Sequence, residues 1–172
     1  MTAALIGGAA WLMTHPEIVQ GIGLWNTPPD YQQVLDDSDL DIPVDVQEIC
    51  EKWGAEYNIS PELLEAICYR ESRFNPTAVN GHNKGIAQIN QLWQSDRMAR
   101  LGVTDLYDAD QCIHVAADLL NELSEQYEVA ESLGYYRWGF DQADRTQATG
   151  EICEYAESVM KRAKAYEIQH GK

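Results

Sequence analysis

The stretch Ile59-Ser60-Pro61-Glu62-Leu63-Leu64-Glu65-Ala66-Ile67-Cys68-Tyr69-Arg70-Glu71-Ser72-Arg73-Phe74-Asn75-Pro76-Thr77-Ala78-Val79 decides how this chain folds. Ser60 offers a capping hydroxyl, and Pro61 loses nothing at a first helical position where its missing N–H would have had no partner. Glu62 sits near the positive end of the helix dipole. The spacing predicts a helix from Pro61 to about Arg73, broken before Pro76. Leu64, Ile67, Cys68 and Glu71 recur at 0, 3, 4 and 7 and so share one face, while Glu62 and Glu65 fall outside that register. Glu71 is therefore a carboxyl on the inward stripe. Such a group either pairs with a cation, here Arg70 or Arg73 at a helix end, or raises its pKa and becomes a proton donor near neutral pH. The second outcome suits a general acid.

Working outward, Val46, Ile49, Cys50, Trp53 and Tyr57 form one stripe of an amphipathic helix that should stop near Asn58. Asp108–Tyr127 carries apolar residues on two adjoining faces and reads as a central buried helix. Val129–Tyr136 and Glu151–Glu167 complete the set. Only Gly85–Asn90 hints at a hairpin, so the expected class is mainly α with a small hairpin. Residues 1–43 form a separate object. Ala3–Met13 is an uncharged apolar run of signal-core length, too short to span a bilayer, that could equally be a packed helix. Asn26–Pro43 reads as an acidic arm or linker, and 44–172 as the folded domain.

The 172 residues carry a formal charge of −16, and the first 51 contain nine acids and no Lys or Arg. That balance argues against nucleic acid, which needs a basic footprint, and against anionic membrane. Cys50, Cys68, Cys112 and Cys153 match no zinc or CxxC spacing, so no metal site is expected. Their helical positions leave buried thiols and disulfides both open.

The Glu-Ser end of the second helix, then Phe74-Asn75-Pro76-Thr77-Ala78, then Gly85-Ile86-Ala87-Gln88-Ile89-Asn90, resembles the catalytic domain of the soluble lytic transglycosylases, similar in fold to goose-type lysozyme. Ala87 stands where the family usually has Met. The likeness spans roughly residues 45–140. It departs at Tyr135-Tyr136-Arg137-Trp138-Gly139, where the family's Ala-Tyr-Asn-Ala-Gly has Asn in place of Arg137 and Ala in place of Trp138. The loss of Asn alters the hydrogen bonding of that subsite.

The resemblance implies a lysozyme-like helical domain acting on the β-1,4 bond between N-acetylmuramic acid and N-acetylglucosamine. Glu71 would be acid and then base, closing a 1,6-anhydro ring without metal or cofactor. It implies substrate contacts at Ser72, Gln88, Ile89, Asn90 and Tyr136. The residues alone leave structural roles open: Ser72 bonded back to its helix, Gln88 tying the hairpin, Tyr136 packed with Val129 and Leu133. Residues 72–95 contain no Asp or Glu, so a second carboxylate of the kind a hydrolase uses is absent from that stretch. A hydrolytic, goose-type-like lysozyme is the nearest rival. A glycan-binding module without activity is another, favoured by the altered 136–139 element and a charge awkward for an anionic wall. Peptidoglycan strands are the expected partner, with a secretion, conjugation or phage assembly as a system the enzyme could serve, and the chain is expected to be a monomer. The substrate places the protein outside the cytoplasm, in the envelope or secreted, which tips the cysteines toward disulfides.

Overall fold

The computed structural model describes residues 40–139 and 153–172; the apolar start, the acidic arm up to Asp39 and the first residues of the helix expected at Glu151 lie outside that range. The described elements, in chain order, are α1 (Val44–Tyr57), α2 (Pro61–Ser72), β1 (Val79–Asn80), β2 (Asn83–Lys84), β3 (Ile89–Asn90), α3 (Ser95–Leu101), α4 (Ala109–Ser124), α5 (Val129–Trp138) and α6 (Glu154–Gln169). The strands form one antiparallel sheet in the order β1-β2-β3, with Asn80 opposite Asn83 and Lys84 opposite Ile89. The mainly helical class with a small β element is as expected.

The predicted stripe of α1 faces inward, with Val46 and Cys50 buried and Ile49, Trp53 and Tyr57 packed against the core. Trp53 stacks on His114 of α4 at 3.6 Å between ring centroids, and its indole N–H donates to the Asp110 carbonyl at 3.1 Å. The helix stops at Asn58, whose φ of 55° is left-handed. Ser60 caps α2 by accepting from the Leu63 N–H at 3.4 Å, with Pro61 in the first turn.

The inward stripe of α2 holds: Leu64, Ile67 and Cys68 are at most 1% exposed. The expectation that Glu62 and Glu65 point elsewhere does not, since they are 2% and 1% exposed. The reason is that α2 packs against α1, α4 and α6 at once, so burial wraps around it instead of following one stripe. Glu62 is met by the C-terminal residues, with Lys172 Nζ at 2.6 Å and His170 Nδ1 at 3.1 Å. Burial opposes its ionisation, but the bonds to Lys172, His170 and Ser60 prevail and hold its pKa at about 2. Among the described residues, one of the Glu65 carboxyl oxygens makes no hydrogen bond. Burial pushes the Glu65 pKa to about 7.

Asp108 caps α4 by accepting from the Gln111 N–H at 3.1 Å. The helix packs on α1, α2, α3, α5 and β3, as its two apolar faces require. Its buried Asp118 binds Arg97 and Arg100 of α3. The sequence pattern does not mark α3, because seven residues with Met98 as their only buried member show no stripe.

The four cysteines are free, buried thiols, which corrects the expectation of disulfides. Each sulfur already has a structural role. Cys50 and Cys68 lie side by side in the core between α1 and α2. Cys112 donates to the Lys84 carbonyl at 3.7 Å. Cys153 caps α6, accepting from the Ala156 N–H at 3.3 Å.

Candidate active site

A cleft of about 440 Å³ opens where the end of α2 meets the sheet, α5 and α6; its walls are Arg70, Glu71, Ser72, Arg73, Ala78, Val79, Asn80, Asn83, Gln88, Arg137 and Tyr155. Local geometry explains why α2 ends there. Arg73 and Phe74 both adopt left-handed φ angles, 52° and 62°, which cost energy for residues with a Cβ. The turn is held by the Arg73 N–H on the Tyr69 carbonyl at 2.8 Å and the Phe74 N–H on the Cys68 carbonyl at 3.4 Å. This αL-type closure leaves Glu71 in the last turn, in the wall of the cleft.

Ser72 pins that end to the sheet segment. Its hydroxyl donates to the Ile86 carbonyl at 2.7 Å, with the Cys68 carbonyl of its own helix at 3.2 Å, and accepts from the Asn75 N–H at 3.1 Å. Gln88, at φ 50°, donates its amide to the carbonyls of Ala78 at 3.1 Å and Gly85 at 2.9 Å. The Gln88 side chain, in the cleft wall, therefore ties the turn before β3 to the residue ahead of β1. Gly85 sits at φ 76°, and a Cβ there would lie 1.9 Å from the Leu106 carbonyl oxygen, so the segment presses directly on the chain entering α4.

Glu71 is half-buried. Desolvation raises its pKa, while the Tyr155 hydroxyl and the charges of Arg137 and Arg70 pull it back. The negative end of the α2 dipole acts in the same direction as desolvation. Tyr155 faces Glu71 from α6, and its own pKa is pushed well up by burial and by that carboxylate. The hydroxyl closes no hydrogen bond of full geometry among the described residues, so it contacts Glu71 as a nearby dipole with an unspent donor. Arg70 and Arg137 each lie 5.8 Å from the centre of the Tyr155 ring.

Of the residues singled out in the sequence, Glu71, Ser72 and Gln88 come together in the cleft walls. Ile89, Asn90 and Tyr136 do not line it. Ile89 is 2% exposed in the core. Asn90 donates to Asn83 Oδ1 at 2.9 Å and accepts from the N–H groups of Leu92 at 3.2 Å and Trp93 at 3.1 Å. Tyr136 donates to the Ala87 carbonyl at 2.7 Å. Sequence reasoning missed Tyr155, Asn80 and Asn83 as cleft residues. For Tyr155 the usable signal was its spacing with Val159 and Tyr166, which lie four and eleven residues on along the buried face of α6. Among the described residues no cluster of three or more His, Cys, Asp or Glu could hold a metal ion.

Residues 48–158 match the family model described as the transglycosylase SLT domain. The chain is 36% identical to protein IpgF of Shigella flexneri over 121 residues, 65% of this chain and 76% of that protein. It is 35% identical to a transglycosylase of Enterobacteria phage PRD1 over 92 residues, covering 53% of this chain and 34% of the phage protein. It is 32% identical to the invasion protein IagB of Salmonella typhimurium over 93 residues, covering 48% and 57% respectively. With its helical fold, its cleft and these relatives, the chain belongs to the transglycosylase SLT domain family and is a peptidoglycan lytic transglycosylase.

Proposed function

We propose that Glu71 carries the reaction, first as acid and then as base, on the β-1,4 bond between N-acetylmuramic acid and N-acetylglucosamine. One observation carries the reading: among the described residues, Glu71 is the sole carboxylate in the walls of the cleft. Its desolvation keeps the proton available nearer neutrality than a solvated glutamate would.

The protonated carboxyl of Glu71 donates to the bridging oxygen as the C1–O bond of the muramyl residue breaks. With no second carboxylate in the described walls, the substrate's own acetamido oxygen closes on C1. Glu71, now ionised, takes the proton from the muramyl 6-hydroxyl, and O6 displaces the acetamido oxygen to give the 1,6-anhydro ring. One group thus serves both proton transfers and is restored at the end. Tyr155, whose hydroxyl lies near Glu71 and favours its charged form, stabilises the ionised carboxylate between the two transfers. Ser72 and Gln88 hold the α2 end and the β segment at fixed separation, which fixes where the carboxyl sits against the strand.

Because this substrate lies outside the cytoplasmic membrane, the protein is assigned to the cell envelope or to secretion. A phage transglycosylase and an invasion protein among the relatives support service to an assembly that must open the wall locally.

Digestion of purified sacculi followed by mass analysis of the products tests this. The expected muropeptides are lighter by one water than hydrolytic ones, and Glu71→Gln lowers the rate by roughly 10²–10⁴-fold. Hydrolytic masses would mark a lysozyme instead, and an unimpaired Glu71→Gln would remove Glu71 from the chemistry.

A further inference from the structure

Among the described residues, the charge of the cleft walls is opposite to that of the chain. The chain as a whole carries −16, yet among the described residues the cleft walls hold Arg70, Arg73 and Arg137 and a single carboxylate. All three arginines are solvent-exposed at the rim. Each is also oriented by neighbours. Arg70 donates to Ser158 Oγ at 3.0 Å and Arg73 donates to the Tyr69 hydroxyl. Arg137 lies 5.8 Å from the centre of the Tyr155 ring, as Arg70 does. Tyr69 is in turn faced by Arg162 at 3.5 Å from its ring centre, which steadies the Arg73 platform. Among the described residues, the guanidiniums of Arg70 and Arg137 both act on the one carboxylate of the cleft, and cations gathered at a cleft draw anions to it.

We propose that Arg137, with Arg70 beside it, makes the cleft rim a receptor for a carboxylate of the peptidoglycan strand. The inference rests on the reading of this cleft as the glycan site and adds the charge of the preferred substrate. Peptidoglycan offers that group in two places. Strands bearing peptide stems carry the free carboxylates of those stems, and strands stripped of stems expose the lactyl carboxylate of muramic acid. A guanidinium can meet either with two parallel N–H···O bonds, which a neutral amide side chain at position 137 cannot do with the same strength. The Arg at this position thus gives the enzyme a substrate preference, and it answers how so acidic a protein approaches an anionic wall.

Binding separates this from the catalytic reading. The full chain carrying Glu71→Gln is titrated by calorimetry with stem-bearing strands, with the same strands after conversion of their carboxyls to primary amides, and with stripped strands. Amidation is expected to weaken binding about tenfold, the worth of one charge-assisted contact. Adding Arg137→Asn should bring the charged and amidated strands to the same affinity, while Arg137→Lys should keep part of the difference. Tighter binding of stem-bearing than of stripped strands assigns the carboxylate to the stem, and the reverse assigns it to the lactyl group. Equal affinity for charged and amidated strands, or a preference untouched by Arg137→Asn, overturns the proposal. A preference that persists while the unmodified enzyme releases no anhydro product would instead overturn the role of Glu71 and leave this one standing.

Discussion

Tyr136 donates its hydroxyl proton to the carbonyl of Ala87, 49 residues earlier, at 2.7 Å. The bond ties α5 to the turn before β3 and fixes the back of the cleft, while Tyr155 on α6 presents its hydroxyl to Glu71 from another side. Two tyrosines from different helices thus divide the work, one holding the wall and the other facing the carboxyl.

Tyr136→Phe removes that donor and leaves the carbonyl of Ala87, a fully buried residue, short of a partner. The expected cost is about 1–2 kcal/mol, seen as a fall of a few degrees in melting temperature by calorimetry. An unchanged melting temperature would show that the bond adds nothing to the fold.

Tyr155→Phe should act on the chemistry more than on the fold. The hydroxyl pulls the Glu71 pKa down, so its loss lets desolvation raise that pKa further. As the acid is active when protonated, activity falls as pH rises through its pKa, and the alkaline limb of the rate profile should move upward in the variant. The rate at the optimum should fall roughly 10-fold, in line with losing one polar contact that favours the ionised carboxylate. A profile that does not move would place Tyr155 outside the proton transfers.

Glu65→Gln should stabilise the protein above neutral pH. The buried carboxyl has its pKa raised to about 7, mainly by desolvation. A carboxyl with a raised folded pKa stabilises fully below its unfolded value and loses that contribution as pH rises through the folded one. Wild type and variant should therefore match near pH 4. At pH 8 to 9 the variant should be more stable by roughly 1–3 kcal/mol, measured by chemical denaturation at each pH. Parallel curves across this range would mean that Glu65 stays ionised in the fold.

Gly85→Ala should be severe. The added methyl would meet the Leu106 carbonyl oxygen at 1.9 Å and the Cys112 sulfur at 2.8 Å, at a φ of 76° that already disfavours a side chain. The loss should be about 3 kcal/mol or more, with activity falling alongside as the β segment shifts under the cleft. The neighbouring Gly81, also at positive φ but with open space around it, should tolerate Ala much better.

The sequence alone determined the helices whose signals are local. Ser60 and Pro61 start α2, Asn58 ends α1 and Asp108 caps α4, because a cap or a breaker acts through backbone groups a few residues away. The stripe of Leu64, Ile67 and Cys68 likewise placed Glu71 on the inner side of its helix. Only the tertiary structure decided what meets that stripe. It buried Glu62 and Glu65 because α6 covers a second side of α2, and it left all four cysteines as buried thiols. It also brought Arg137 and Tyr155 to Glu71 from two other helices. Charge and burial at one point are sums over neighbours distant along the chain, so no reading of residues along one helix could have contained them.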